Sequence, residues 1–196
     1  HYFLDGDALN DGSWFDYPKL AISNNEVYIT GNLYFDGSSG PWNQSIIYVM
    51  GKDECFAGLN APTMLYSTGE TNTLLPVSFG GTGTYGPGIF LVGTSIYGNA
   101  YYVYNLTDDM TGSPQLIKYT LNTSFSIGGH AQQYGTSCLL DVGDPRALSG
   151  FYLNGIIHFV HNIELSNHPL WNGIAYSRID VTDYSFKLHK SFSATN

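Results

Sequence analysis

The sequence predicts an all-β protein, and more specifically a β-propeller segment of about three four-stranded antiparallel blades. Short runs rich in Val, Ile, Tyr, Phe and Thr recur along the chain, and these residues suit a pleated, half-buried surface. Clusters of Gly, Asn, Ser and Pro separate the runs and favour turns, with Asn154-Gly155 as the clearest hairpin signal. No segment keeps a 3.6-residue apolar period over a helical length.

The third observation behind this fold class is an internal repeat. Pro41-Trp42-Asn43 leads into one apolar run, and Pro169-Leu170-Trp171-Asn172 leads into another. Asp16-Tyr17-Pro18 stands upstream of the first run, and Asp144-Pro145 stands upstream of the second. Turn-forming segments that recur at matching positions indicate a chain assembled from similar units. Repeated four-stranded antiparallel units favour a β-propeller, and a β-sandwich is the alternative because it also has many short strands with regular turns.

The strands group into three units, which we predict at about residues 14–70, 71–125 and 140–196. The expected strands are 19–23, 26–34, 45–50 and 63–67; then 75–79, 88–95, 100–105 and 115–121; then 147–153, 155–162, 174–181 and 186–192. Propellers close with about 4–8 blades. The 196 residues are therefore expected to form a single propeller segment, which further blades or another copy of the chain would complete.

The composition excludes two classes of partner. The net charge is −9 with only seven Lys and Arg residues, whereas binding to a phosphate backbone needs clustered cations. No apolar run is long enough to span a membrane. Only 12% of residues are charged, and Tyr, Asn, Ser, Thr and Gly are abundant. A surface that is polar without being charged is typical of extracellular β proteins.

The two cysteines leave two interpretations open. Cys55 and Cys138 could form a disulfide in an oxidising compartment. They could equally be buried free thiols, which behave as small hydrophobic residues.

Three segments resemble a known group of proteins. Residues 16–24 read DYPKLAISN, residues 144–152 read DPRALSGFY, and residues 154–162 read NGIIHFVHN. They resemble large secreted or surface-exposed β-propeller-like repeat proteins of Bacteroidota-type bacteria, whose exporters use a C-terminal sorting domain. The resemblance implies a propeller-like fold and an extracellular or cell-surface location. This family has no agreed catalytic motif, so the resemblance assigns no catalytic residue.

A ligand-binding face follows from the predicted blades. The loop leading into the innermost strand and the loop between the second and third strands lie on one face of a blade, so carboxylates and aromatic rings meet there. Such a face recognises sugars, because a ring stacks on the pyranose and oxygens bind its hydroxyls; a partner protein is the other ligand class. The predicted ligand-binding residues are Trp42, Trp171, Asp16, Asp144 and Tyr85, which Trp14 and Tyr97 would extend. In the structural alternative, the Trp residues pack between blades and the Asp residues bond turn amides.

Two other functions remain as alternatives. A fragment of a propeller-type glycoside hydrolase would use paired carboxylates. Asp144-Pro145 and Glu54-Cys55 are similar to parts of fructan-hydrolase motifs, but they stand in the reverse order, and we assign no catalytic residue. A structural component of a surface assembly or filament would associate through open strand edges.

Two groups of residues have side chains that can bind metal ions. Asp5, Asp7 and Asp11 place oxygen ligands close together, as Ca²⁺ prefers, although the segment departs from the EF-hand pattern and an acidic turn is the alternative. His158 and His161 are three residues apart and fall on opposite faces of a strand. They are therefore not expected to share a metal, and one of them fits a hydrogen-bonded core histidine.

Overall fold

The computed structural model describes residues 2–35, 41–127, 129–133, 135–142, 145–165 and 172–192. Strands dominate these residues, and the longest helix found among them has six residues. Within them, no helix has the length and apolarity needed to cross a bilayer.

The first sheet is a four-stranded antiparallel meander. Its strands are β1 (Trp14–Ile22), β2 (Glu26–Tyr34), β3 (Trp42–Gly51) and β4 (Thr63–Thr68), and they neighbour one another in chain order. A short helix, α1 (Lys52–Ala57), lies between β3 and β4. Asp53 and Glu54 occupy its first turn, where their negative charges interact favourably with the positive end of the helix dipole. The helix ends at Gly58, whose φ of 71° is the left-handed conformation that glycine adopts at helix C-termini.

The second sheet repeats this arrangement. The chain forms β5 (Leu75–Pro76), β6 (Ser78–Phe79), β7 (Ile89–Thr94), β8 (Ala100–Leu106) and β9 (Leu116–Asn122). The sheet has the order β5-β7-β8-β9, and all of its pairs are antiparallel. A small hairpin of β10 (His130–Gln132) and β11 (Leu139–Asp141) follows.

The third sheet is a meander with one added strand. Its strands are β12 (Ala147–Leu153), β13 (Ile156–Glu164), β14 (Asn172–Asp180) and β15 (Ser185–Phe192). The short β6 pairs in parallel with β12 and extends the sheet to five strands. Asn154 and Gly155 form the turn between β12 and β13, with φ values of 51° and 79°. Both values lie in the left-handed region that a two-residue hairpin turn requires.

The all-β prediction is confirmed, since the structure is built mostly of antiparallel sheets. Neither a closed ring of sheets nor a two-layer sandwich is evident in the part of the chain that the structure describes. Three features differ from the predicted strands. β1 begins at Trp14, the β5–β6 stretch is divided between two sheets, and α1 lies between two of the expected strands.

Two hydrophobic clusters join the sheets. One cluster combines residues of the first sheet with residues of the second: Ala21, Tyr28, Ile47, Val49, Leu74, Tyr85, Ile89, Leu91, Tyr104 and Leu106. The other combines residues of the second sheet with residues of the third: Leu75, Val77, Val92, Tyr101, Val103, Leu121, Ala147, Ile157, Phe159 and Ile179. The second sheet is therefore covered by a neighbouring sheet on each side.

Alternate residues of β7 pack in opposite directions. Leu91 belongs to the cluster with the first sheet, and Val92 belongs to the cluster with the third sheet. This follows from the two-residue period of a strand. We call the side of a sheet that turns toward the next sheet along the chain its forward face, and the opposite side its rear face. Tyr28 thus lies on the forward face of β2, and Phe159 on the rear face of β13.

The rear face of the first sheet is partly covered by residues 2–13, which we call the N-terminal segment. Leu4, Ala8 and Leu9 pack against the third cluster, formed by Leu33, Ile46 and Tyr48. The Tyr48 hydroxyl donates a hydrogen bond to the Asp5 carbonyl (2.7 Å), and the Tyr2 hydroxyl donates one to the Leu59 carbonyl (2.6 Å). The segment therefore crosses this face from the region after α1 toward the start of β1.

Candidate functional site

Three aromatic residues meet where β1 and β3 begin and β2 ends, which we call the Trp42 end. Trp14 pairs with Tyr34 across β1 and β2, and Tyr34 pairs with Trp42 across β2 and β3. The Trp14 and Tyr34 ring centroids are 5.6 Å apart. All three residues are half-buried. Strand pairing therefore brings together three aromatic residues that are far apart in the sequence, and we call them the aromatic row.

Asp16 lies in the same region. It is two residues from Trp14 on β1, so the period of the strand places both on one side of the sheet. It pairs with Asn32 of β2 and is half-buried. The register slips between Asp16 and Lys19, and Tyr17 there has a φ of 56°. The structure therefore brings Asp16 near the aromatic row, although in a strand and not in the loop that the sequence predicted.

The Trp42 indole has an unusual hydrogen-bonding state. Its Nε1 atom is shielded from solvent and has no hydrogen-bond partner among the described residues. A buried donor without an acceptor costs about 1–3 kcal/mol, and such groups call for a specific explanation. Trp42 follows a register shift opposite Tyr34, which sets the position of the ring.

A buried polar network lies next to the Trp42 end. The Asn32 amide donates to the Thr73 hydroxyl (2.7 Å), and the Asn32 amide oxygen accepts from the Ser45 hydroxyl (2.9 Å) and the Thr73 amide (2.8 Å). Asn32 and Ser45 are fully buried. A fully satisfied buried network is rigid, so the backbone beneath the aromatic row is fixed to the connection that leads into the second sheet.

Tyr85 does not join this surface, which corrects the sequence prediction. Its side chain is 7% exposed and lies between the rings of Phe79 and Tyr152, at centroid distances of 5.5 and 5.2 Å. Its hydroxyl accepts a hydrogen bond from the Phe90 amide (3.2 Å), and burial raises the pKa of Tyr85 above its ordinary value. Tyr85 is a core residue because the loop before β7 turns its ring inward.

Asp144 and Trp171 lie outside the described residues, so a second aromatic–carboxylate surface stays a prediction. Their neighbours nevertheless connect the two repeated Asp–Pro segments. The Arg146 guanidinium lies 4.8 Å from the centre of the Tyr17 ring, and the Lys19 ammonium lies 5.0 Å from the same centre. Lys19 also donates a hydrogen bond to the Leu148 carbonyl (3.1 Å). The middle of β1 and the start of β12 are therefore close together.

Both cysteines are free thiols in the structure. Cys55 is half-buried in α1, and Cys138 is exposed before β11. Desolvation, followed by the nearby Glu54 carboxylate, raises the pKa of Cys55. The structure therefore contains free thiols, but they are not the pair of buried thiols that the second interpretation expected.

The carboxylates proposed as Ca²⁺ ligands are bonded to backbone amides. Asp5 accepts from the Asp7 amide (3.0 Å), Asp7 accepts from the amides of Asp11 (2.9 Å) and Gly12 (3.0 Å), and Asp11 accepts from the Ser13 amide (3.1 Å). These are the local bonds of an acidic turn. Within the described ranges, no group of three or more His, Cys, Asp or Glu side chains is arranged to hold a metal ion.

The sequence analysis missed a buried carboxylate at the opposite end of the first sheet. Glu26 is 2% exposed. Its carboxylate accepts hydrogen bonds from the Tyr28 hydroxyl and the Met110 amide. Desolvation raises the pKa of Glu26, although the two hydrogen bonds oppose this effect. Glu26 thus ties the β8–β9 connection to β2, and its position after Asn24-Asn25 gave no signal beyond that of a turn.

A polar cleft lies beside this contact. Its volume is about 440 Å³, and its lining includes Asn24, Asn25, Thr84, Pro87, Asp108 and Asp109. The Asn25 amide donates to the Asp109 carboxylate (2.7 Å). Hydrogen bonds from Thr111 and then from Asn25 lower the pKa of Asp109, which keeps it ionised. Glu26 is too buried to present its carboxylate to the cleft, so the pair does not form an acid–base site.

The two histidines of β13 point to opposite faces, as their spacing predicts. His161 is fully buried on the rear face, where Nε2 lies 2.6 Å from the Tyr101 hydroxyl and Nδ1 lies 2.9 Å from the Asn162 carbonyl. His158 lies on the forward face, 2.7 Å from the Tyr176 hydroxyl and stacked on Phe151. His161 is therefore the hydrogen-bonded core histidine that the sequence analysis expected.

The comparisons with known proteins found no similar protein: no family model, no curated protein and no solved structure matches this chain.

Proposed function

We propose that the chain is a segment of an extracellular β-propeller that serves as a non-catalytic binding module for a glycan. The observation that carries the proposal is the aromatic row of Trp14, Tyr34 and Trp42 with Asp16 beside it. A fixed row of half-buried rings next to a carboxylate is suited to a flat, hydroxyl-bearing ligand.

The chemistry of the Trp42 end supports a sugar over a charged ligand. Indole and phenol rings offer flat apolar faces at a small cost in conformational entropy, and the C–H face of a pyranose can lie on them. A carboxylate such as that of Asp16 accepts hydrogen bonds from hydroxyls, and these are stronger than bonds between neutral groups. The chain carries few cations, so a neutral polyol is favoured over a polyanion.

The sheet arrangement supports the propeller part of the proposal. Each of the three sheets contains a run of four antiparallel strands in chain order, and each sheet packs on the next through the same side. Blades of a propeller have this organisation. In such a module, the Trp42 end and the corresponding end of the third sheet would lie on one side of the molecule.

The test is affinity electrophoresis against a panel of soluble polysaccharides, followed by calorimetric titration with any that retards the chain. We expect Trp42→Ala and Trp14→Ala each to weaken binding about tenfold or more, since tenfold corresponds to about 1.4 kcal/mol. Phe56→Ala is the matched control, because Phe56 is a 74% exposed ring on α1, at the other end of β3. Equal binding by the Trp variants and the native chain would refute the site, and a panel with no ligand would refute the glycan.

A scaffold role is the second candidate, and the forward face of the third sheet favours it. Ile174 and Phe192 on this face are 50% and 54% exposed, whereas the forward faces of the first two sheets are covered by the next sheet. Exposed apolar surface of this kind often marks an interaction site.

A further inference from the structure

Exposed apolar and aromatic side chains lie on the forward face of the third sheet. Ile174 pairs with Phe192, and Phe151 pairs with His158, so these side chains stand together on one side of the sheet. Ile174, Phe192 and Phe151 are 50%, 54% and 39% exposed. The rear face of the same strands is packed into the core through Phe159 and Ile179. The exposure is therefore confined to the forward face, while the rear face of the sheet is buried.

Neighbouring sheets in the chain contact each other in the same orientation. The forward face of the first sheet packs on the rear face of the second, through Tyr28 and Leu91 among others. The forward face of the second packs on the rear face of the third, through Val92 and Phe159 among others. A forward face is therefore complementary to a rear face. In the part of the chain that the structure describes, the third sheet retains a forward face with no rear face against it.

The first sheet has a partly open rear face. The N-terminal segment packs over Leu33 and Ile46 on its rear face, but the outer parts of this face are open. Leu20 pairs with Ile29 and Leu65 pairs with Tyr48, which places both on the rear face. Leu20 is 59% exposed and Leu65 is 38% exposed. One chain thus exposes one face of each kind.

Both open faces carry charged residues. Arg178 and Lys190 flank Tyr176 on the forward face of the third sheet, as the pairing of β14 with β15 requires. Glu164 and Asp180 lie toward the two ends of the same face, because they pair with Asn172 and Ile156. Arg178 Nε is shielded from solvent and has no hydrogen-bond partner among the described residues. The N-terminal segment, on the rear face of the first sheet, carries Asp5, Asp7 and Asp11. In a head-to-tail contact, Arg178 and Lys190 near the middle of the forward face can meet these carboxylates, and such complementary charges favour that orientation.

We propose that a second copy of this chain docks head to tail, with its first-sheet rear face on the third-sheet forward face. The contact is heterologous, and such contacts close into a ring or extend into a filament. Two copies with three sheets each make six sheets, which lies within the range of about 4–8 that closes a propeller. The same contact is then made twice, and each copy covers both open faces of the other. The proposal is independent of the glycan ligand, because the Trp42 end binds sugar with or without a second copy.

The test is the mass in solution, measured by size-exclusion chromatography with light scattering over a range of protein concentrations. We expect twice the mass of one chain. Ile174→Asp on the forward face and Leu20→Asp on the rear face should each produce monomers, because either places an uncompensated charge in the contact. Ile96→Asp is the matched control, since Ile96 is 46% exposed in the turn before β8 and should leave the dimer intact. Circular dichroism shows whether each variant has folded.

Mixing the two monomeric variants distinguishes the orientation. The Ile174→Asp chain keeps its rear face and the Leu20→Asp chain keeps its forward face, so an equimolar mixture should form pairs through one intact contact. A native chain that is monomeric at every concentration would overturn the proposal. So would a dimer that Leu20→Asp leaves unchanged, because that result assigns the contact to two forward faces.

Discussion

His161 makes a prediction about acid stability that follows from its burial. The ring is fully buried, with Tyr101 at Nε2 and the Asn162 carbonyl at Nδ1. The neutral tautomer with its proton on Nδ1 satisfies both partners, since Nδ1 donates to the carbonyl and Nε2 accepts from the Tyr101 hydroxyl. A second proton on Nε2 would displace the Tyr101 proton and place a charge in the core, near His189. Desolvation therefore lowers the pKa of His161 from 6.5 to about 4.

The size of the effect follows from this pKa. Between pH 6.5 and about 4 the unfolded chain binds a proton at His161 and the folded chain does not. The free energy of unfolding therefore falls as the pH falls through this window, and no further loss occurs once the folded chain is protonated too. The free energy of unfolding falls by about 1.4 kcal/mol per pH unit in this window, which gives a full loss of about 3 kcal/mol. At pH 5.5 about 1.4 kcal/mol has been lost.

The assay is urea denaturation at pH 7.5 and pH 5.5 of the native chain and the His161→Gln variant. The glutamine amide can still accept a hydrogen bond from Tyr101 but does not titrate. Between the two pH values, the free energy of unfolding of the variant should therefore fall by about 1.4 kcal/mol less than that of the native chain. His158→Gln is the control. His158 is only half-buried, and desolvation and then Arg178 lower its pKa, so its removal should change the pH dependence less. An unchanged pH dependence in His161→Gln would refute the assignment of a buried neutral imidazole.

Two further predictions concern packing and backbone conformation. Leu91→Ala should destabilise the chain by about 2–5 kcal/mol, because Leu91 is fully buried between the first two sheets; Ile117→Ala, at a residue 37% exposed on β9, should cost much less in the same urea titration. Gly88→Ala should cost about 2 kcal/mol or more, because φ is +72° and a Cβ there would lie 1.8 Å from the Leu106 carbonyl oxygen. Gly12→Ala is its control in thermal denaturation, with φ of +81° and open space around the Cβ.

The regular part of the fold was predictable because local residue types determine it. The β12–β13 hairpin follows from Asn154-Gly155, which adopts the left-handed conformation that its turn needs. The continuous burial of β3 from Ser45 to Gly51 follows from an apolar run that is packed on both sides. The structure places Trp42 and Asp16 at the same end of the first sheet, because strands of a meander return to the same end.

The irregular parts depend on contacts that a sequence pattern does not encode. α1 has six residues and no buried side chain, so it produces no helical period. β5 and β6 are separated by Val77 alone, yet they join different sheets. Tyr85 resembled an exposed loop aromatic, and only the stacking of Phe79 and Tyr152 on its ring makes it part of the core. Glu26 is a buried carboxylate because the β8–β9 connection reaches it from a distant part of the chain.

The central claim is that the three sheets stack in chain order, each with its forward face on the next. Leu91 and Val92 test it most directly, because they are neighbours in β7 and pack in opposite directions. Nuclear Overhauser contacts from methyl-labelled protein should connect Leu91 with Tyr28 or Val49 of the first sheet. The same spectra should connect Val92 with Ile157 or Phe159 of the third sheet. Contacts from both methyl groups to a single sheet would contradict the stacked arrangement.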